Sequence, residues 1–224
     1  ESTVGADVNI VMDGLHLDKR LSHRQGDQIQ YAGIVSYLRA GCGFGGSCLP
    51  KDIQALCKYA EEKNVPARLL KAVNETNEDR PLWLLARARE RLGTLSDHSI
   101  LIIGVAFKPG TDDMREAPSI NVITSIIESG GRVQAFDPVA NNEAAEIFPN
   151  EWIADNKLIF FDDNYAVLEN CDALVLMTEW KMFRNPSIKK MKEKMQNLCI
   201  FDGRNQYDPD NMREKGFYYK GIGR

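Results

Sequence analysis

Gly41-Cys42-Gly43-Phe44-Gly45-Gly46-Ser47-Cys48-Leu49-Pro50-Lys51-Asp52 sets a cysteine between a glycine-rich loop and a proline suited to the first turn of a helix. Gly41, Gly43, Gly45 and Gly46 allow backbone angles and a close ligand approach that side chains forbid. A helix starting here turns its free N–H groups and positive dipole end toward Cys48. Lys51 adds positive charge, and Asp52 adds a carboxylate able to orient or deprotonate a water. The chemistry this set suits is nucleophilic attack, or substrate contact, by Cys48. The plainer alternatives are a buried structural cysteine at 48 and, at Asp52, a charge that only complements the helix dipole.

These residues need a scaffold, and the bulk properties bound it. With 224 residues, 43% hydrophobic and 27% charged, the chain describes an ordinary soluble globular protein of one large or two modest domains. A net charge of −4 gives no general pull toward nucleic acid or anionic membrane. No apolar run approaches the ~20 residues that span a bilayer, so neither nucleic acid nor membrane is an expected partner. No basic-then-apolar leader is present, and a start at Glu1 suggests processing, tag removal or a domain excised from a longer chain. Five cysteines (Cys42, Cys48, Cys57, Cys171, Cys199), odd in number and widely spread, fit a reducing compartment, the cytoplasm, better than a disulfide framework. A Cys42–Cys48 redox pair is a minor alternative. His16, His23 and His98 stand far apart, so no metal site is expected.

The first half, residues 1–92, reads as helical. Val4, Val8, Ile10, Val11 and Leu15 give a loose apolar face, and the polar stretch from Leu21 to Gly33 reads as a surface loop. Ile53, Leu56, Cys57 and Ala60 share one helical face, on which Cys57 is core rather than chemistry. Pro66 opens a further helix that Pro81 kinks or divides. From residue 93 the pattern changes: 100–105 is a short apolar run rich in β-branched residues, 132–136, 158–161, 173–177 and 198–201 read as further short strands, and helical stretches at 118–129, 164–170 and 187–196 separate them. Alternation of this kind implies an α/β, mostly parallel, Rossmann-like sheet over residues 93–224, with ligands beyond the carboxyl ends of its strands. Phe107, Lys108, Asp137, Thr178, Glu179 and 202–205 fall there. Only Gly104 remains of a dinucleotide fingerprint, so dinucleotide binding by this half alone has little support.

Three segments in register carry a family resemblance: Gly43 to Asp52; Gly104-Val-Ala-Phe-Lys-Pro-Gly-Thr-Asp-Asp-Met-Arg-Glu-Ala-Pro-Ser119; and Phe201-Asp-Gly-Arg-Asn205 with the terminal Gly221-Ile-Gly-Arg224. Together they resemble the UDP-glucose/GDP-mannose dehydrogenase family, most closely its bacterial UDP-glucose 6-dehydrogenases. The resemblance implies oxidation of the C6 alcohol of a nucleotide sugar to a carboxylate with two NAD⁺ in succession. It makes Cys48 the nucleophile that forms a thiohemiacetal and then a thioester, and Asp52 the residue that positions or activates water. By the same resemblance Arg39, Ala40, Gly41, Cys42, Gly43, Phe44 and Gly45 cradle the sugar diphosphate. Phe107, Lys108 and Arg204 meet phosphates or sugar. Cys48, Leu49, Pro50 and Lys51 line the nicotinamide side, and Arg115 reaches the cofactor.

Arg20 aligns with an arginine that enters a neighbouring subunit's site, and the helical region 1–92 is implied to form a homodimer or higher homo-oligomer. The stretch from Ser22 to about Ile34 is longer than the usual family connection. The family's Gly-x-Gly-x-x-Gly domain, and its catalytic threonine, glutamate and lysine–asparagine helix, have no counterpart in these residues, which implies that the chain alone is inactive. Alternative substrates are GDP-mannose and a UDP-N-acetylhexosamine; a different class is a non-catalytic nucleotide-sugar-binding or oligomerisation module. Plainer roles remain for Arg204 (a turn residue with an internal ion pair), for Arg115 (pairing with Asp112, Asp113 or Glu116) and for Tyr37 (packing rather than ligand contact).

Overall fold

The computed structural model describes residues 5–224. Val4 and the side chain of Tyr37 lie outside the described residues. The first half holds α1 (Val8–His16), α2 (Leu49–Glu62) and α3 (Arg68–Leu92). It is not purely helical. Where a surface loop is expected, β1 (Ser22–Gln25) and β2 (Gln28–Tyr31) pair as an exposed antiparallel hairpin. The turn is Gly26-Asp27, with Gly26 at φ +63°, and a glycine at the first turn position suits the twist of two short strands. Leu56 also departs from expectation: it is 53% exposed, at the edge of the α2 stripe whose Ile53, Cys57 and Ala60 turn partly inward.

Helix α3 runs unbroken through Pro81. Proline in a helix interior costs about 3 kcal/mol. Pro81, Leu84, Leu85 and Ala88 are all buried there, and full burial of one such leucine contributes roughly 1.5–3 kcal/mol. Packing on this side therefore outweighs the lost hydrogen bond.

The second half is a six-stranded, all-parallel sheet: β3 (Ser99–Ile103), β4 (Arg132–Phe136), β5 (Leu158–Phe160), β6 (Ala173–Leu176), β7 (Cys199–Asp202) and β8 (Tyr218–Gly221). Its spatial order is β5-β4-β3-β6-β7-β8, so the direction of winding reverses between β3 and β6. Ligand crevices open beyond the carboxyl ends of strands at such a switch point. Alternation along β3 feeds two cores. Ile100 and Ile102 face α3 and α4 (Pro118–Glu128), while Leu101 and Ile103 face the side of α7 (Ile188–Lys194) and α8 (Pro209–Glu214). The short helices α5 (Asn141–Ile147) and α6 (Asn150–Ala154) connect β4 to β5. The stretch near 164–170 forms a 3₁₀ turn only, Ala166–Leu168. Among the described residues no helix is long and apolar enough to cross a membrane.

Both ends of the chain meet. Val8 N–H donates to Gly223 O at 2.9 Å, and Arg224 Nε donates to Asp7 Oδ2 at 2.7 Å beside the α1 start. The long helix α3 joins the two halves more deeply, with Leu84 fully buried against the sheet. Leu84→Ala is expected to lower the unfolding free energy by about 2–5 kcal/mol, read as a lower urea midpoint at unchanged slope.

Candidate active site

The glycine loop lies on the carboxyl rim of the sheet and is pinned at every second residue. Cys42 N–H donates to Gly203 O at 2.8 Å, Phe44 N–H to Asn77 Oδ1 at 2.7 Å, and Gly46 N–H to Arg115 O at 2.8 Å. The amides of Gly43 and Gly45 make no hydrogen bond among the described residues. Glycine is required by contact as well as conformation. Gly43 has φ +103°, and a Cβ there would lie 2.8 Å from Asn77 Oδ1. A Cβ on Gly45 would run into Glu116 O, and one on Gly46 would sit 2.9 Å from the Phe107 ring.

Arg204 joins the loop to the strand ends. Its Nε donates to Met177 O at 2.8 Å and its Nη1 to Gly43 O at 3.0 Å, while its own amide donates to Asp202 Oδ1 at 3.0 Å. Glu179 Oε2 lies 3.2 Å from Nε but receives no hydrogen bond, because that N–H is aimed at Met177 O. The internal ion pair foreseen as the plainer role of Arg204 is therefore present. The same side chain also touches the glycine loop.

Cys48 stands exposed at the start of α2, immediately beyond this loop, and Asp52 N–H closes the first helical bond onto Cys48 O at 2.9 Å. Pro50 is buried in the first turn; Leu49, Lys51 and Asp52 are exposed, and Lys51 Nζ pairs with Asp52 Oδ1 at 3.1 Å. All five cysteines are free. Cys42 is fully buried, and burial pushes its thiol up against a smaller downward pull from Arg204. Burial likewise lifts Cys199, and it pushes Cys171 up to about 12.

The other positions singled out in the sequence divide. Phe107 packs on the glycine loop, and Lys108 Nζ, on an exposed side chain, lies 5.2 Å from the Phe107 ring centroid. Gly41 closely approaches Arg204 and Gly203, and Ala40 is half-buried against the core. The structure turns two arginines elsewhere: Arg20, 87% exposed, grips Asp18, and Arg39 pairs with Asp13 of α1 at 2.7 Å. Arg115 makes a two-point pair with Asp113, at 2.9 and 2.7 Å, with its backbone on the glycine loop.

Two further residues matter, and of these only Asp137 is marked in the sequence, as a residue at a strand end. Asn77 was not signalled by any motif; its place four residues before Pro81 was the available clue. Asp137 is 2% exposed and gathers five N–H donors: Val105 and Ala106 at 2.8 and 3.3 Å, Val139 and Ala140 both at 3.1 Å, and Trp180 Nε1 at 3.3 Å. In a dinucleotide-binding turn the amides after the first strand and at the helix start face a pyrophosphate. Here the Asp137 carboxylate takes those of Val105 and Ala106, and α4 begins only at Pro118. This turn does not fit NAD.

An all-parallel sheet wound in this order, with its switch point between β3 and β6, defines the Rossmann-like class of nucleotide-binding α/β folds. Two family profiles match the chain: the UDP-glucose/GDP-mannose dehydrogenase family, central domain, at residues 1–79, and the same family's UDP binding domain at residues 101–209. A UDP-glucose 6-dehydrogenase of Pseudomonas aeruginosa is 41% identical over 221 residues, which cover 98% of this chain and 46% of that protein. The solved UDP-glucose dehydrogenase of the archaeon Pyrobaculum islandicum matches with a TM-score of 0.79 at 28% identity, covering 99% of this chain and 44% of that one. A UDP-D-ManNAc dehydrogenase of Pyrococcus horikoshii matches with a TM-score of 0.73 at 26% identity, covering 99% and 45%. The chain belongs to the UDP-glucose/GDP-mannose dehydrogenase family. It spans just under half the length of these relatives.

The Asp113–Arg115 pair sets a pH dependence. The Arg115 guanidinium holds the Asp113 carboxyl below its ordinary value of 3.8, against a smaller upward push from burial. A carboxylate lowered on folding stabilises above its unfolded value, and the contribution disappears as pH falls through the lowered folded value. The urea midpoint of the unsubstituted chain should exceed that of Asp113→Asn most above about pH 5, and the gap should close as pH drops toward ~2.

Proposed function

We propose that these residues are the central and nucleotide-sugar-binding parts of a nucleotide-sugar 6-dehydrogenase that oxidises UDP-glucose to UDP-glucuronate, with Cys48 as nucleophile. The observation that carries this reading is the exposed Cys48 at a helix start, directly after a glycine loop docked on the switch-point rim. The division falls at Gly93, which ends α3 at φ +81°: a helical region over residues 1–92 and a sheet domain over 93–224. The names of the relatives and the UDP binding domain match favour a UDP-sugar.

In this reading the unpartnered amides of Gly43 and Gly45 receive the diphosphate, Lys108 and Arg204 neutralise it, and Phe107 shapes the pocket wall. Cys42 seats the loop, since its amide and thiol are both turned inward. Arg39 is committed to Asp13, so the cradle depends on 40–45 rather than on that guanidinium. The exposure of Arg20, paired among the described residues only with Asp18 of its own segment, suits a role toward a neighbouring subunit.

The C6 alcohol gives up a hydride and its hydroxyl proton to become an aldehyde, and the Cys48 thiolate adds to that carbon, forming a C–S bond. Loss of hydride from that thiohemiacetal leaves a thioester. Water attacks the thioester carbon, the C–S bond breaks, and a carboxylate leaves while the thiolate returns. Asp52 orients that water or takes its proton, with Lys51 beside it. NAD⁺, when bound, supplies the acceptor for both hydrides. Leu49, Pro50, Lys51 and Arg115 line its nicotinamide side, while its main cradle lies outside this sheet, whose turn is filled by Asp137. The free cysteines suit a reducing cytoplasm. The outward apolar residues Leu56, Tyr59, Val65 and Leu69 suit self-association of the helical region as a homodimer or higher oligomer.

Calorimetric titration with UDP-glucose, UDP-N-acetylmannosamine and GDP-mannose tests the substrate. UDP-glucose is expected to bind, with Arg204→Ala and Lys108→Ala each weakening it by about tenfold or more, as loss of a charged hydrogen bond implies. Tighter binding of either other sugar transfers the reading to that substrate, and failure of all three removes it. A polypeptide of these 224 residues, given UDP-glucose and NAD⁺, is expected to form no NADH. NADH appearing in that assay sinks the claim that a further domain is needed.

A further inference from the structure

One peptide unit of the glycine loop is gripped from both sides. The carbonyl of Gly43 accepts Arg204 Nη1 at 3.0 Å from the sheet, and the N–H of Phe44, in the same peptide plane, donates to Asn77 Oδ1 at 2.7 Å on α3. The Asn77 amide group also donates from Nδ2 to Phe44 O at 3.0 Å, so one carboxamide holds both backbone groups of Phe44. Such two-point pairing fixes orientation where a single hydrogen bond fixes only distance. The approach is possible because Gly43 lacks a Cβ, which would lie 2.8 Å from Asn77 Oδ1 and 3.3 Å from Asn77 O. Pro81, four residues on, removes the helical donor that Asn77 O would otherwise receive, and α3 presents that turn to the loop.

We infer that Asn77 is a positioning residue for nucleotide-diphosphate recognition: it locks the Gly43–Phe44 peptide against Arg204, so that the unpartnered amides of Gly43 and Gly45 are held toward the diphosphate. This rests on the nucleotide-sugar reading above. Asn77 touches no reacting atom; it acts through the backbone of the loop. Because its leverage is on the diphosphate-binding amides, it bears on ligands that carry a diphosphate and leaves those with a single phosphate nearly unaffected.

Calorimetric titration of the 224-residue chain with UDP-glucose and with UMP separates this role from general stabilisation. Asn77→Leu, which removes both hydrogen bonds at similar volume, should weaken UDP-glucose by about tenfold or more and UMP by less than about twofold. Asn77→Asp, which retains the acceptor for Phe44 N–H but loses the donor to Phe44 O, should fall between; it carries the same comparison if Asn77→Leu does not fold. Unchanged UDP-glucose affinity, or parallel losses for both ligands, overturns the inference while the nucleotide-sugar reading stands. If another of the three nucleotide sugars binds in place of UDP-glucose, the same comparison is made with that sugar and its nucleoside monophosphate; failure of the unsubstituted chain to bind any of the three overturns both.

Discussion

The guanidinium of Arg204 reaches from the end of β7 to the carbonyls of Met177, after β6, and Gly43, in the glycine loop. Hydrogen bonds from a charged donor are roughly twice as strong as neutral ones, and this side chain is only 16% exposed, so water competes weakly. The geometry closes because the neighbours are small. Gly203 brings its backbone against Leu176 O, Cys42 Sγ and Leu84 Cδ1, where a Cβ would stand 2.7–3.0 Å from each. Arg204 thus adds a charged side-chain tie, between parts far apart in sequence, to the three hydrogen bonds from Cys42, Phe44 and Gly46 that seat the loop on the rim.

A second constraint lies at the switch point. A buried carboxylate is costly unless its oxygens are satisfied, and Asp137 satisfies both with five N–H donors. It performs internally the service that an anionic ligand performs in a dinucleotide-binding turn. The sheet keeps the strand order of that class while the turn after β3 is released for another use. The chain leaves Gly104 through a left-handed glycine pressed against Thr178 and continues into Phe107 and Lys108, beside the glycine loop. Topology alone would suggest a dinucleotide in this turn; the hydrogen bonds of one aspartate argue against it.

Much of this was legible along the chain. The run that becomes β3 is short, apolar and rich in β-branched residues, as burial on both faces requires, and β4, β5, β6 and β7 were legible as further short runs between helical stretches. Helix α4 was legible from Pro118 and its isoleucine periodicity. The hairpin was missed because β1 has no apolar residue and the alternation of β2, with Ile29 and Tyr31 between glutamines, is only four residues long; Gly26-Asp27 was the turn signal. Helices α5, α6 and α8 span five to seven residues each, too short for a helical period to repeat. Strand β8, polar at Lys220, offered little that marks a strand. Pro81 does not divide α3 for a physical reason: local propensity disfavours a helix there, and a buried leucine face restores it.

The order of residues by itself determined the local chemistry. It put a thiol after four glycines and before a helix-starting proline, with a lysine and an aspartate one turn on. It also determined the alternation that makes a parallel sheet, since the period of burial is written in each segment. Only the tertiary structure decided which of the charged residues meet. Arg204 and Gly43 are 161 positions apart, Asn77 and Phe44 are 33 apart, and no local pattern encodes such pairs. It also decided that Arg39 turns to Asp13 and that Asp137 fills the turn after β3, because partner choice for a polar side chain is set by what folding buries beside it.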